Sequence, residues 1–176
     1  MSEGGRVTDD TAPGSLAPHT PSPAPGYVGD LTVRSEWDGR YADREQLWSG
    51  QPNGALVAEV DGLTPGRVLD VGCGEGADAV WLAGCGWEVT GLEVSGVALD
   101  RAAGHARDAG VAVRSVHAGL VEAALPPGSF DLVCALYPAL LRTPDAAAER
   151  ALLAGRRDRR RAAAGAPRGG GRPAGA

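Results

Sequence analysis

Two carboxylates in this 176-residue chain stand where they could do chemistry. Asp70 lies in the apolar run Val68-Leu69-Asp70-Val71, and Gly72, Gly74 and Gly76 follow it at alternate positions. Glu93 closes a second run, Val89-Thr90-Gly91-Leu92-Glu93. Glycine is needed where the backbone takes a positive φ or where a ligand must approach the main chain closely. A helical pattern starts directly after the third glycine. The turn therefore presents free N–H groups, which favour a ligand with negative or hydrogen-bond-accepting groups. A carboxylate about 20 residues after the first glycine is placed to accept from both hydroxyls of a ribose. A carboxylate two residues before that glycine suits a cofactor carrying positive charge, through Coulomb attraction in a partly dry cleft. The set points to a nucleoside-containing cofactor.

Which cofactor is not decided by the glycines. Gly72, Gly74 and Ala77 satisfy a dinucleotide fingerprint with alanine in its last place, which would make the chain a nicotinamide-dependent oxidoreductase. Gly72, Gly74 and Gly76 satisfy a different, alternate-glycine pattern. Asp70 argues against the dinucleotide, whose fingerprint usually has an apolar residue there. So does a segment of about 35 residues with aromatics before the first strand. In that segment Trp37, Tyr41 and Trp48 are candidates to close over cofactor or substrate, or else to pack as core or lid. Tyr137 follows the fourth apolar run and is a further substrate candidate, or else a loop aromatic on the surface. His117 ends a strand near the site and reads as structural; His105 reads as solvent-facing and His19 lies in a tail. Cys73, Cys85 and Cys134 are odd in number with no metal-type spacing, so buried thiols in a reducing compartment are expected and no metal.

The elements that must position these residues are legible from periodicity. Ser35–Ser49 reads as a helix or pair of turns with an aromatic side. Asn53 can cap a helix to about Asp61. Strands are expected at Val68–Val71, Trp87–Glu93, Val111–His117 and Phe130–Leu136. Helices are expected over Gly76–Gly84 and from an N-cap at Ser95 to Ala109, closed by Gly110. A further helix is expected from Thr143-Pro144-Asp145, with Thr143 as cap. Alternating apolar strands and helices imply an α/β, Rossmann-like doubly wound parallel sheet, with ligands at the carboxyl ends of its strands.

Composition sets the bounds. Residues 1–29 are rich in Pro, Ser, Thr, Gly and Ala, and bury too little apolar surface to offset their ordering entropy, so a disordered tail is expected. No run has the length of a signal peptide core or a membrane span, which makes a cytoplasmic protein without membrane contact the default. The formal charge is −5, every basic residue is Arg, and there is no Lys or Ile. Seven Arg and one Asp lie from Gly155 onward, so the body is acidic, which argues against nucleic acid except through the tail. From Arg156 to Ala176 only Arg, Ala, Gly, Pro and one Asp occur, and no strand can be read there. The sheet is thus expected to be truncated after its fourth strand and following helix. One explanation is a tail read out of frame: with suitable GC-rich codons, a one-base shift turns Arg-Arg-Asp-Arg-Arg into Gly-Ala-Ile-Ala. The rival is a genuine basic tail for an acidic partner.

Val68-Leu69-Asp70-Val71-Gly72-Cys73-Gly74-Glu75-Gly76 resembles the first motif of class I S-adenosylmethionine-dependent methyltransferases. Val89-Thr90-Gly91-Leu92-Glu93-Val94-Ser95 resembles their second-strand acidic motif, and Phe130-Asp131-Leu132-Val133 their fourth-strand motif. The leader Trp37-Asp38-Gly39-Arg40-Tyr41, with Trp48 and Pro52-Asn53, is similar to small bacterial members of the tellurite-resistance and thiopurine-methyltransferase kind. The resemblance spans roughly residues 36–155, within a domain expected over 30–155. It implies S-adenosylmethionine as cofactor and a small-molecule methyl acceptor. It implies that Gly72, Cys73, Gly74 and Gly76 pass against the amino-acid and ribose parts of the cofactor. Asp70 would engage the methionine amino group, Glu93 the ribose hydroxyls and Val94 the adenine. Ala118 and Gly119 would edge the adenine, and there the chain departs from the pattern, which usually has a carboxylate where Gly119 stands. With strands missing, a non-catalytic remnant of such an enzyme is the third possibility.

Overall fold

The computed structural model describes residues 28–138 and 145–157. The expected tails therefore lie almost wholly outside the described residues, as do Thr143 and Pro144. In chain order the elements are α1 (Val28–Ala42), α2 (Gly54–Val60), β1 (Arg67–Val71), α3 (Ala77–Gly84), β2 (Glu88–Glu93), α4 (Gly96–Asp108), β3 (Val113–His117), β4 (Leu132–Cys134) and α5 (Ala147–Gly155). The strands form one parallel sheet in the order β3-β2-β1-β4. β1 is central, and the order reverses beside it, so its carboxyl end opens at the switch point between β1 and β4.

Alternation along β1 divides the core in two. Val68 joins Leu56 and Val60 of α2, Ala79 and Leu82 of α3, and Val89 and Trp87 on one face. Leu69 and Val71 join Leu92, Ala118, Leu120, Phe130 and Ala148 of α5 on the other. α4 packs on α3 and along β2 and β3, and α1 packs on α4. The approach of α3 to α4 depends on Gly76. Its φ is +85°, and a Cβ there would stand 2.8 Å from the Ala102 Cβ.

Several boundaries differ from expectation. Asn53 does cap α2, its Oδ1 accepting from the Ala55 amide at 2.9 Å. Ser95 caps α4, its Oγ accepting from the Ala98 amide at 3.2 Å. The leader helix, however, runs Val28–Ala42 rather than over Ser35–Ser49. The third strand starts at Val113, because the Val111 amide is spent on the Ala106 carbonyl in closing α4. The fourth strand is only Leu132–Cys134, since Phe130 pairs instead on its outer side with Arg156. The last helix begins at Ala147 after Ala146 in the left-handed region, so Asp145 is not yet helical. Strand-like pairing also reaches past Gly155: the Arg157 amide donates to the Phe130 carbonyl at 2.6 Å, although no strand was expected there. Cys134 is buried, but Cys85 is exposed, contrary to expectation. No helix among the described residues is long and apolar enough to cross a membrane.

Candidate functional site

Asp70 is 2% exposed and lies at the carboxyl end of β1, between Gly91 and Cys134 of the flanking strands. Its Oδ1 is 3.5 Å from the Cys134 thiol, while Oδ2 is buried without a hydrogen-bond partner among the described residues. Burial first, then the negative charges of Asp78 and Glu93, push its carboxyl up to about 7 despite the thiol contact. An unpartnered buried carboxylate oxygen is costly, and a cationic donor is the partner that relieves the cost. Next to it the chain turns through Gly72, Gly74 and Gly76, all at positive φ. The Gly72 and Cys73 amides donate to the Leu92 carbonyl at 2.7 and 3.1 Å, which fixes the turn against the end of β2. Cys73 itself points under Gly91, and burial pushes its thiol well up, so it is no nucleophile.

Glu93 closes β2 facing that turn. Its Oε2 accepts from the Gly74 amide at 3.1 Å, and its Oε1 accepts from the Val94 and Ser95 amides at 2.8 and 2.9 Å. A carboxylate has about four acceptor positions, so Glu93 holds the local backbone and retains capacity for a further donor.

The aromatic leader reaches the same place. Tyr41 is 2% exposed, and a Cβ on Gly74 would stand 2.8 Å from its hydroxyl oxygen. The Trp48 indole N–H donates to that oxygen at 3.1 Å, although Trp48 is 50% exposed. Burial first, then Glu93 and Glu75, push the Tyr41 hydroxyl up to about 12, so it stays a neutral donor. Trp37 lies beside Tyr41 with ring centres 5.9 Å apart and ring planes tilted by 37°. Sequence reasoning missed what holds this segment. Glu75, inside the glycine turn, accepts from the Leu47 and Trp48 amides and from Arg101. Burial works to raise the Glu75 carboxyl, but these hydrogen bonds, led by Arg101, outweigh it and hold it below the usual glutamate range. The available signal was a charged residue between two turn glycines. Arg101 and His105 lie one turn apart on α4, and His105 Nδ1 meets the Glu75 carbonyl at 2.8 Å, so this histidine is not simply solvated.

At the carboxyl ends of β2 and β3, Val94 is half-buried, Ala118 is buried and Gly119 is half-buried. His117 Nε2 meets the Val94 carbonyl at 2.8 Å. The Gly119 amide donates to Glu122 Oε2 at 3.1 Å, and Arg34 Nη2 donates to the same oxygen at 3.2 Å. A carboxylate thus stands beside residue 119 although residue 119 supplies none. Tyr137 is not gathered in: at φ +54° it is 87% exposed, while its neighbour Pro138 packs over Gly72.

Residues 68–157 match the methyltransferase-domain family. The chain is 40% identical over 81 residues to a ubiquinone biosynthesis O-methyltransferase of Pectobacterium carotovorum, covering 46% of this chain and 34% of that protein. The matched segments span 11% to 37% of the lengths of the curated relatives. Among solved structures, one described for the conversion of a disulfide bond into a thioacetal group in echinomycin biosynthesis is 33% identical. Its TM-score is 0.63, covering 71% of this chain and 56% of that one. The magnesium protoporphyrin IX methyltransferase of Synechocystis PCC 6803, with bound S-adenosylmethionine, is 24% identical with a TM-score of 0.58, over 70% and 69% of the two chains.

Proposed function

This chain belongs to the methyltransferase-domain family, of the class I S-adenosylmethionine-dependent kind, and we propose that it transfers the methyl group of that cofactor to a small-molecule acceptor. The observation that carries the reading is Asp70 Oδ2, buried and unpartnered beside a positive-φ glycine turn. That arrangement fits a ligand with an ammonium group next to hydroxyls and rejects a purely anionic one. Asp70 would hold the amino group. The turn from Gly72 through Cys73 and Gly74 to Gly76 would border the amino-acid and ribose parts, and Glu93 would accept from the ribose hydroxyls. Val94, Ala118 and Gly119 would flank the adenine, with Glu122 as the acceptor at its edge. The likeness to an O-methyltransferase of ubiquinone biosynthesis supports a small-molecule acceptor.

The cofactor supplies a methyl group already activated on a sulfonium. What remains for the protein is alignment and exclusion of water. A base is needed only where the acceptor must lose a proton, so the site requires no catalytic dyad. The faces of Tyr41 and Trp48 suit a sulfonium, which aromatic rings attract as they do other cations. Gly72, Gly74, Ala77 and Glu93 would also suit a nicotinamide dinucleotide, but Asp70 is the feature such a cofactor has no use for. The domain runs from residue 28 to about 157 on this reading, extending the 30–155 expected at both ends.

Titration of the purified chain with S-adenosylhomocysteine by calorimetry tests the proposal, with a nicotinamide dinucleotide as control. Saturable binding of the first alone is expected. Binding of the dinucleotide, or of neither by a chain with a folded circular-dichroism spectrum, overturns it.

A further inference from the structure

Residues 42–46 are exposed, Leu47 is half-buried and Trp48 is half in solvent. The connection between α1 and α2 therefore has little apolar burial to hold it down. It is nevertheless laid over Gly74. The polar contacts that do this converge on two side chains. Glu75 is 4% exposed, and its carboxylate accepts from the Leu47 amide at 3.1 Å, the Trp48 amide at 3.1 Å and Arg101 Nη1 at 2.7 Å. Arg101 turns its other nitrogen, Nη2, to the Tyr41 carbonyl at 2.7 Å and the Arg44 carbonyl at 2.6 Å. One planar fork thus joins three parts of the molecule: the glycine turn through Glu75, helix α4 through its own backbone, and the segment from Tyr41 to Trp48.

We propose that Glu75 and Arg101 are positioning residues that clasp the Tyr41–Trp48 segment as a strap over the cofactor, so that this pair sets how long the cofactor stays bound. The inference rests on the cofactor reading above. Neither side chain needs to touch the cofactor. They act through Tyr41 and Trp48, whose hydroxyl and indole are brought onto Gly74. The clasp is separable from the fold. Sheet and core clusters are built from other residues, and of this segment only Tyr41 is buried, so residues 42–48 open independently when their hydrogen bonds go. Charge-assisted hydrogen bonds are the strong ones, so their loss shows as a rate. Arginine is also specific here. A lysine ammonium keeps the attraction to Glu75 but cannot present two nitrogens to separate groups.

The experiment compares the full chain with Arg101→Met, Arg101→Lys, Glu75→Gln and the Arg101→Met/Glu75→Gln pair. Calorimetry gives the affinity and stoichiometry for S-adenosylhomocysteine, and rapid filtration of the radiolabelled compound gives its release rate. Arg101→Met is expected to release it about tenfold faster or more, at unchanged stoichiometry and without slower binding. Arg101→Lys falls between, and the double variant is no worse than the worse single one. A release rate within about twofold of the parent in Arg101→Met and Glu75→Gln overturns the clasp and leaves the cofactor reading standing. Should Arg101→Met fail to fold, Arg101→Lys and Glu75→Gln carry the same comparison. Absence of binding by the parent chain overturns the cofactor reading, and the clasp with it.

Discussion

Asp70 is asked to be two incompatible things. It is buried with one oxygen unpartnered among the described residues, and its carboxyl is pushed up to about 7. The folded state therefore holds a proton that the unfolded chain gives up near pH 4. Stability contributed by that protonated form is present at acid pH and lost as pH rises from about 4 to about 7. A cationic ligand reverses the preference, because it binds the ionised form. Asp70→Asn should thus make the empty chain more stable than the parent at pH 8, by roughly 1–3 kcal/mol, with little difference near pH 4. Its affinity for S-adenosylhomocysteine should fall by about tenfold or more, and should lose the parent's rise between pH 6 and 8. Urea unfolding at the two pH values and calorimetry at pH 6 and 8 check both halves. A variant that binds as the parent does would remove Asp70 from the site. The singular position of Asp70 was legible because a carboxylate in an apolar strand has few reasons to be there. Glu75 was not legible: its partners come from Leu47, Trp48 and Arg101, and no local pattern joins three segments so far apart in the chain.

Helix α4 shows how an element can be readable by its ends yet serve the site through its sides. Ser95 and Gly110 bracket it in the sequence, and Ser95 caps it in the structure. Less visible is that the same Ser95 hydroxyl donates to Asp38 of α1 at 2.6 Å, and that the Val97 amide also donates to Asp38 at 3.3 Å. The cap is therefore also the joint between the leader helix and the sheet domain. Ser95 is fully buried, so Ser95→Ala removes the capping acceptor and leaves Asp38 without its closest donor. The expected cost is roughly 1–3 kcal/mol, more than an exposed cap would lose. Asp38→Asn in the same background should add less than it costs alone, since both act on one contact. Thermal unfolding of the four proteins measures the coupling, and strict additivity would separate cap from joint. Strands β1 and β2 were legible for a related reason: each is apolar on both faces and ends at a glycine or a carboxylate. The fourth strand and the last helix were not. Phe130 has the composition of a strand interior, but its backbone is taken by Gly155 and Arg157 on the outer side. Ala146 starts α5 from a left-handed conformation that no propensity rule assigns to alanine.

At the scale of the molecule the two faces of the sheet are unequally secured. One is covered by α2 and α3, with α4 packed alongside α3. The other, which holds the fully buried Leu69, is covered among the described residues by α5 and by the connection after β3. What fastens α5 is Phe130. Its ring lies in that cluster, its amide donates to the Gly155 carbonyl at 3.1 Å, and its carbonyl accepts from the Arg157 amide. Asp131 adds an ion pair to Arg157 at 3.1 Å, which at its exposure contributes little. Phe130→Ala should therefore do two things. It should destabilise the chain by roughly 3–5 kcal/mol, the usual loss for emptying an aromatic core position. It should also lower the urea m-value, because α5 leaves its face before the sheet unfolds and less surface remains to be exposed in the main transition. Leu82→Ala, in the opposite cluster, should lose stability of similar order with m unchanged, since α2 and Trp87 still cover that face. Equal m-values for the two variants would show that both faces unfold as one unit. Because the glycine turn leaves β1 between them, binding of S-adenosylhomocysteine there should survive Phe130→Ala wherever the sheet remains folded, with its affinity reduced less than its stability.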